Sequence, residues 1–113
     1  METTNSRLTQ LLAFYEEDPN DPFTLYALAT EYRPTDPEKA RWFYEKLLTE
    51  HPEYVGTYYH AASLYLQLEE PELAKQAYQK GMQVSRQLGQ LHAFSELQQA
   101  YNKMMGLDYE DDE

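Results

Sequence analysis

Few residues of this chain could do chemistry. His51, His60 and His92 are its three histidines. His60 and His92 can fall on neighbouring helices, with Glu96 one turn after His92. Two imidazoles and a carboxylate can hold zinc. The spacing is no local motif, however, and brings no third histidine near, so no metal site is expected. His51 reads as part of a helix end. Ser63 and Ser95 fall near His60 and His92 on the same reading. A nucleophilic hydroxyl needs a base and a group that orients the base, and no buried acid can be assigned to that task. There is no cysteine, which excludes disulfides, thiol catalysis and thiolate metal sites. The four glycines are scattered, so no glycine-rich loop exists to cradle phosphate. No catalytic residue, metal or cofactor is expected, and the protein reads as a non-enzyme.

The composition narrows the partners. The chain is short enough for one domain, 1–107, with one core. Eleven Tyr, 4 Phe and 1 Trp argue against disorder. No apolar run approaches the ~20 residues that span a bilayer. The start, METTNSRLTQ, has no basic segment followed by an apolar one. A cytoplasmic protein is expected. The formal charge is -11, and the last six residues, DYEDDE, hold five of the acids. That end, 108–113, is expected to be a disordered acidic tail. An acidic surface repels phosphate backbones and anionic membranes. The expected partner is a protein or peptide, neutral or basic rather than acidic. Nucleic acid and membrane are not expected, and the chain should be a monomer or a weak homodimer.

Apolar residues recur at helical spacing almost throughout. Leu8, Leu11, Leu12 and Tyr15 form a first stripe, stopped at Asp18-Pro19. Asp21-Pro22 reads as an N-cap and first-turn proline for Leu25, Leu28, Ala29 and Tyr32. Thr35 through Glu38 has the form of a capping box and opens a third helix with Ala40, Phe43, Tyr44 and Leu47. His51-Pro52 stops that helix. A fourth carries Tyr58, Ala61, Ala62 and Tyr65. The fifth starts near Pro71, carries Leu73, Ala74, Ala77, Tyr78 and Gly81, and runs on to about Leu88. The sixth follows Gly89 with Leu91, Phe94, Leu97, Tyr101 and Met104. Every proline lies between these segments or near the start of one.

The chain repeats itself. The segment PEKARWFYEKLL at 37–48 returns as PELAKQAYQKGM at 71–82, 34 residues on. Ala40 matches Ala74 and Tyr44 matches Tyr78 at that spacing. Leu25 matches Tyr58, Ala29 matches Ala62 and Tyr32 matches Tyr65, each 33 apart. This helix–turn–helix period resembles the tetratricopeptide repeat family, in its small two-repeat bacterial type. The resemblance implies an all-α fold of about six helices, with antiparallel hairpins stacked into a short right-handed superhelix. It gives a flanking helix at 5–18, repeat one at 20–52, repeat two at 53–88 and a capping helix at 90–105. The family's repeat residues fall on Leu25, Leu28, Ala29, Tyr32, Ala40 and Tyr44. In the second repeat they fall on Tyr58, Ala62, Tyr65, Ala74, Tyr78 and Gly81. Leu47 departs from the pattern where Gly81 fits it.

The same resemblance implies where a partner would lie. The first helices of successive repeats line a concave groove in this family. Here that strip carries Phe23, Tyr26, Thr30 and Arg33, then Tyr59, His60, Ser63 and Gln67. The sixth helix would add His92, Ser95 and Gln99. Family members that grip a C-terminal carboxylate use Lys and Asn where this chain has Tyr26, Thr30, Tyr59 and Ser63. A carboxylate clamp is therefore not expected. The implied function is a scaffold or adaptor that binds a protein or peptide without chemistry. The alternative is a structural subunit that self-associates through the ends of the helical stack. Some similar small proteins carry enzyme labels linked to haem biosynthesis, which is the weaker alternative. Trp42 lies off the usual packing positions. It either packs under the first helix or stands as an exposed contact, and packing is expected because Trp is highly buried on average.

Overall fold

The computed structural model describes residues 6–107. The acidic end, 108–113, lies outside the described residues. Six helices run in order: α1 Ser6–Glu17, α2 Pro22–Tyr32, α3 Pro37–Glu50, α4 Gly56–Gln67, α5 Pro71–Gln87 and α6 Leu91–Met104. No strand occurs among the described residues, and none of their helices is long and apolar enough to cross a membrane. The chain divides into two compact units, between Thr57 and Tyr58.

In unit one, α1 packs on α2 and α2 on α3. Prolines set the frame of two of these helices. Pro22 takes the first turn of α2, so Asp21 is the cap. Its carboxylate accepts from the Thr24 backbone N–H at 3.0 Å and from the Thr24 hydroxyl at 2.7 Å. Pro37 does the same for α3 and corrects the expected capping box. The cap is Asp36, which accepts from the Lys39 N–H at 3.2 Å, and Thr35 stays outside the helix. A proline at the first helical position leaves the preceding residue as the cap, and Asp caps as well as Thr. His51 ends α3. Its Nε2 lies 2.8 Å from the Asn20 carbonyl and ties the end of α3 to the turn before α2.

The core of unit one holds Leu11, Leu25, Leu28, Ala29, Ala40, Phe43, Tyr44 and Leu47. Ala40 is fully buried, as a close helix approach requires. Phe43 is clasped by Tyr15 edge-on at 5.5 Å and by Tyr32 stacked at 5.9 Å. Trp42 does not pack as expected: it is 52% exposed. The cause is helical phase. Ala40, Phe43, Tyr44 and Leu47 fill the buried face of α3, and Trp42 stands ~100° from Phe43.

Unit two holds most of α4 with α5 and α6. Its core includes Tyr58, Ala61, Ala62, Leu64, Tyr65, Ala74, Tyr78 and Leu97. The helix α5 runs through Gln87 with Leu88 as its cap, because no proline stops it where Pro52 follows α3. Three helices end in one geometry, with a left-handed residue followed by a backbone bond reaching back five residues. The left-handed residues are Glu69, Gly89 and Gly106, at φ of 62°, 73° and 71°. The closing bonds run from Glu70 to Tyr65, Gln90 to Ser85 and Leu107 to Asn102.

Candidate partner-binding surfaces

Phe23, Tyr26 and Thr30 of α2 and its C-cap Arg33 fall at intervals of three or four residues and so share a face. Phe23 is 61% exposed, Thr30 is exposed, and Tyr26 and Arg33 are half-buried. Tyr26 is held from behind by Tyr44 of α3, with ring centroids 6.4 Å apart at 64°. Burial raises the Tyr44 hydroxyl above the usual tyrosine range, and Tyr26 adds to the rise. The Thr30 and Arg33 side chains hydrogen-bond with that hydroxyl and pull the other way. Three of the four expected residues thus converge on one buried phenol.

Unit two repeats the device. Tyr59 of α4 meets Tyr78 of α5 with centroids 6.4 Å apart at 75°. Burial again raises the inner phenol, Tyr78, with Tyr59 adding to it. Tyr59 is 43% exposed, and its ring meets His60 edge-on at 5.7 Å. Ser63, one turn on, is half-buried and Gln67 is exposed. On α6, His92, Ser95 and Gln99 are all exposed. His92 Nε2 lies 3.2 Å from Glu96 Oε2, as an exposed pair one turn apart. Among the described residues, no three His, Cys, Asp or Glu side chains are grouped to hold a metal ion.

The sequence places Tyr44 and Tyr78 among the structural repeat residues. They are buried, but they are also the backing of the two outward tyrosines. The signal was available: Tyr44 follows Tyr26, and Tyr78 follows Tyr59, at nearly the same interval in the two repeats.

No family model matches the chain, and no curated protein matches it. Solved structures do. The solution NMR structure of a tetratricopeptide repeat domain protein from Salinibacter ruber is 43% identical. The match covers 81% of this chain and 94% of that one, with a TM-score of 0.74. A crystal structure of a tetratricopeptide repeat domain protein from Salinibacter ruber is also 43% identical. It covers 78% of this chain and 99% of that one, with a TM-score of 0.71.

Proposed function

Because this chain belongs to the tetratricopeptide repeat family, we propose that it is a non-catalytic module that binds a protein or peptide. The binding faces are those of Phe23, Tyr26 and Thr30 on α2 with its C-cap Arg33, and of Tyr59, His60, Ser63 and Gln67 on α4. His92, Ser95 and Gln99 of α6 extend the second. The observation that carries the reading is the recurrent tyrosine couple. In each unit a buried tyrosine fixes a partly exposed one, at 6.4 Å in both. A ring fixed in advance loses little rotamer entropy on binding, and tyrosine offers both area and a hydroxyl. A chain of net charge -11 favours neutral or basic segments.

Panning a displayed random-peptide library against the purified chain tests this. Selected peptides should be apolar or basic, and Tyr59→Ala should weaken them. Selection of acidic peptides, or binding indifferent to Tyr59, would overturn it. A second reading, self-association through the terminal helices, draws support from Phe14 of α1 and Leu91 of α6, both exposed. Size exclusion with light scattering separates the two.

A further inference from the structure

The hairpin of α5 and α6 inverts the charge of the chain. In the whole sequence 20 acids outnumber 9 bases, yet residues 71–107 carry four bases, Lys75, Lys80, Arg86 and Lys103, against two acids, Glu72 and Glu96. In unit one, Arg7, Arg41 and Lys46 each hold a glutamate within 3.1 Å. Among the described residues, none of the four hairpin cations stands in an ion pair.

Two of these cations bracket a groove. Lys75, Gln79, Met82 and Arg86 recur at steps of three or four and line one side of α5. Phe94, Gln98 and Tyr101 do the same on α6. The rows meet at both levels. Arg86 Cζ stands 4.8 Å from the Phe94 centroid, and Gln79 Nε2 donates to the Tyr101 hydroxyl at 3.3 Å. Between Arg86 and Gln98 opens a cleft of about 450 Å³ whose lining holds three glutamines and no carboxylate. A guanidinium stacked on a ring uses its face there and keeps its N–H edge for a carboxylate.

We propose that this groove binds the chain's own acidic run, 108–113, DYEDDE. Three observations select that occupant. Its five carboxylates complement the unpaired Lys75 and Arg86. It starts at the right place: the Leu107 N–H is bonded to the Asn102 carbonyl, one turn beyond Tyr101 and so at the Lys75 end. It also has the right length. Lys75 and Arg86 lie about 16 Å apart along α5, and six extended residues reach about 20 Å. A tethered segment holds its site at an effective concentration in the mM range. Free acidic segments are thereby kept off the hairpin, which leaves the chain to neutral or basic partners.

The chain has no cysteine, so Glu113→Cys takes a single nitroxide label at the far end of the run. Amide signals of the full chain, labelled with ¹⁵N, report where that end lies. Arg86 and Gln98 should broaden at least about twofold more in low salt than in ~0.5 M NaCl, which screens exposed charge. Lys75→Gln/Arg86→Gln should remove the excess at Gln98. Lys103→Gln should keep it, because Lys103 stands about 200° round α6 from Tyr101. The proposal fails if broadening is the same at both salt concentrations, or if the double variant keeps the excess. It fails if an unlabelled ¹⁵N chain mixed with the spin-labelled chain broadens as strongly, since the occupant is then a second copy. It also fails if a capped Glu/Leu peptide at about 10 μM displaces the label, since a partner's acidic segment is then the better occupant.

Discussion

Gly81 lies against Tyr58 so closely that a Cβ added to the glycine would stand 2.6 Å from the tyrosine Cβ. It would also stand 3.1 Å from Leu97 Cδ1 of α6. In the other repeat the corresponding positions are Leu47 and Leu25, both fully buried. In one hairpin a large residue thus meets a glycine, and in the other the corresponding residues are two buried leucines. Leu47 departs from the repeat pattern where its counterpart Gly81 has no room for a side chain.

Gly81→Ala should therefore go against helix propensity. In an open helix the change stabilises by ~1 kcal/mol. Here the neighbour is a Cβ and cannot swing aside, so overpacking should cost ~1–3 kcal/mol net. A urea midpoint above that of wild type would contradict the contact.

Ala40 and Ala74 are both fully buried. Ala40→Leu and Ala74→Leu should each cost ~1–3 kcal/mol or more by forcing the packed helices apart. Leucine at exposed Gln76 of α5 should stay within ~0.5 kcal/mol. Thermal melts of the three variants side by side check the ranking.

Glu69 holds a left-handed φ of 62° at the end of α4, where α5 and α6 end on glycine. Glu69→Gly should stabilise by up to ~1 kcal/mol through relief of the Cβ clash. Glu69→Gln controls for the lost charge and should change little. If the glutamine variant gains as much as the glycine one, the gain is electrostatic and not conformational.

Tyr44 and Tyr78 carry hydroxyls raised above the ordinary value of 10.0, both chiefly by burial. Below about pH 10 both phenols hold their protons, folded or unfolded, and their contribution is fully present. Above it the unfolded chain ionises first and binds fewer protons, so stability falls as pH rises through the folded values. Alkaline denaturation should steepen above about pH 10, and Tyr78→Phe should flatten it. An unchanged slope in Tyr44→Phe and Tyr78→Phe together would contradict the burial assigned to them.

Much of the fold was legible because breakers and periodicity agree in this chain. Pro22, Pro37 and Pro71 each open a helix, and the buried Ala and Tyr positions recur 33 or 34 residues apart. What was misread turns on single-residue phase. Placing the cap of α3 at Thr35 instead of Asp36 is a one-residue slip. Burying Trp42 ignored that the buried face of α3 was already filled. The left-handed Glu69 has no sequence signal, since glutamate avoids that region. Within each unit, shared faces such as Tyr26, Thr30 and Arg33 follow from spacing alone. Their convergence on Tyr44 does not, because spacing on one helix carries no information about which residue of the next helix stands behind it.

Whether the outward tyrosines hold a protein partner is read most directly by capture from the native lysate. Wild type, Tyr26→Ala/Tyr59→Ala and the control Gln76→Ala are immobilised at equal density, and retained proteins are quantified by mass spectrometry. Circular dichroism first establishes that all three remain helical. Each tyrosine at the centre of a contact contributes ~2 kcal/mol on truncation, so the double change should weaken a micromolar complex on either face about thirtyfold. The expected result is a partner held by wild type and the control at moderate salt and lost from the double variant. Equal recovery of the same partner by all three would contradict the claim.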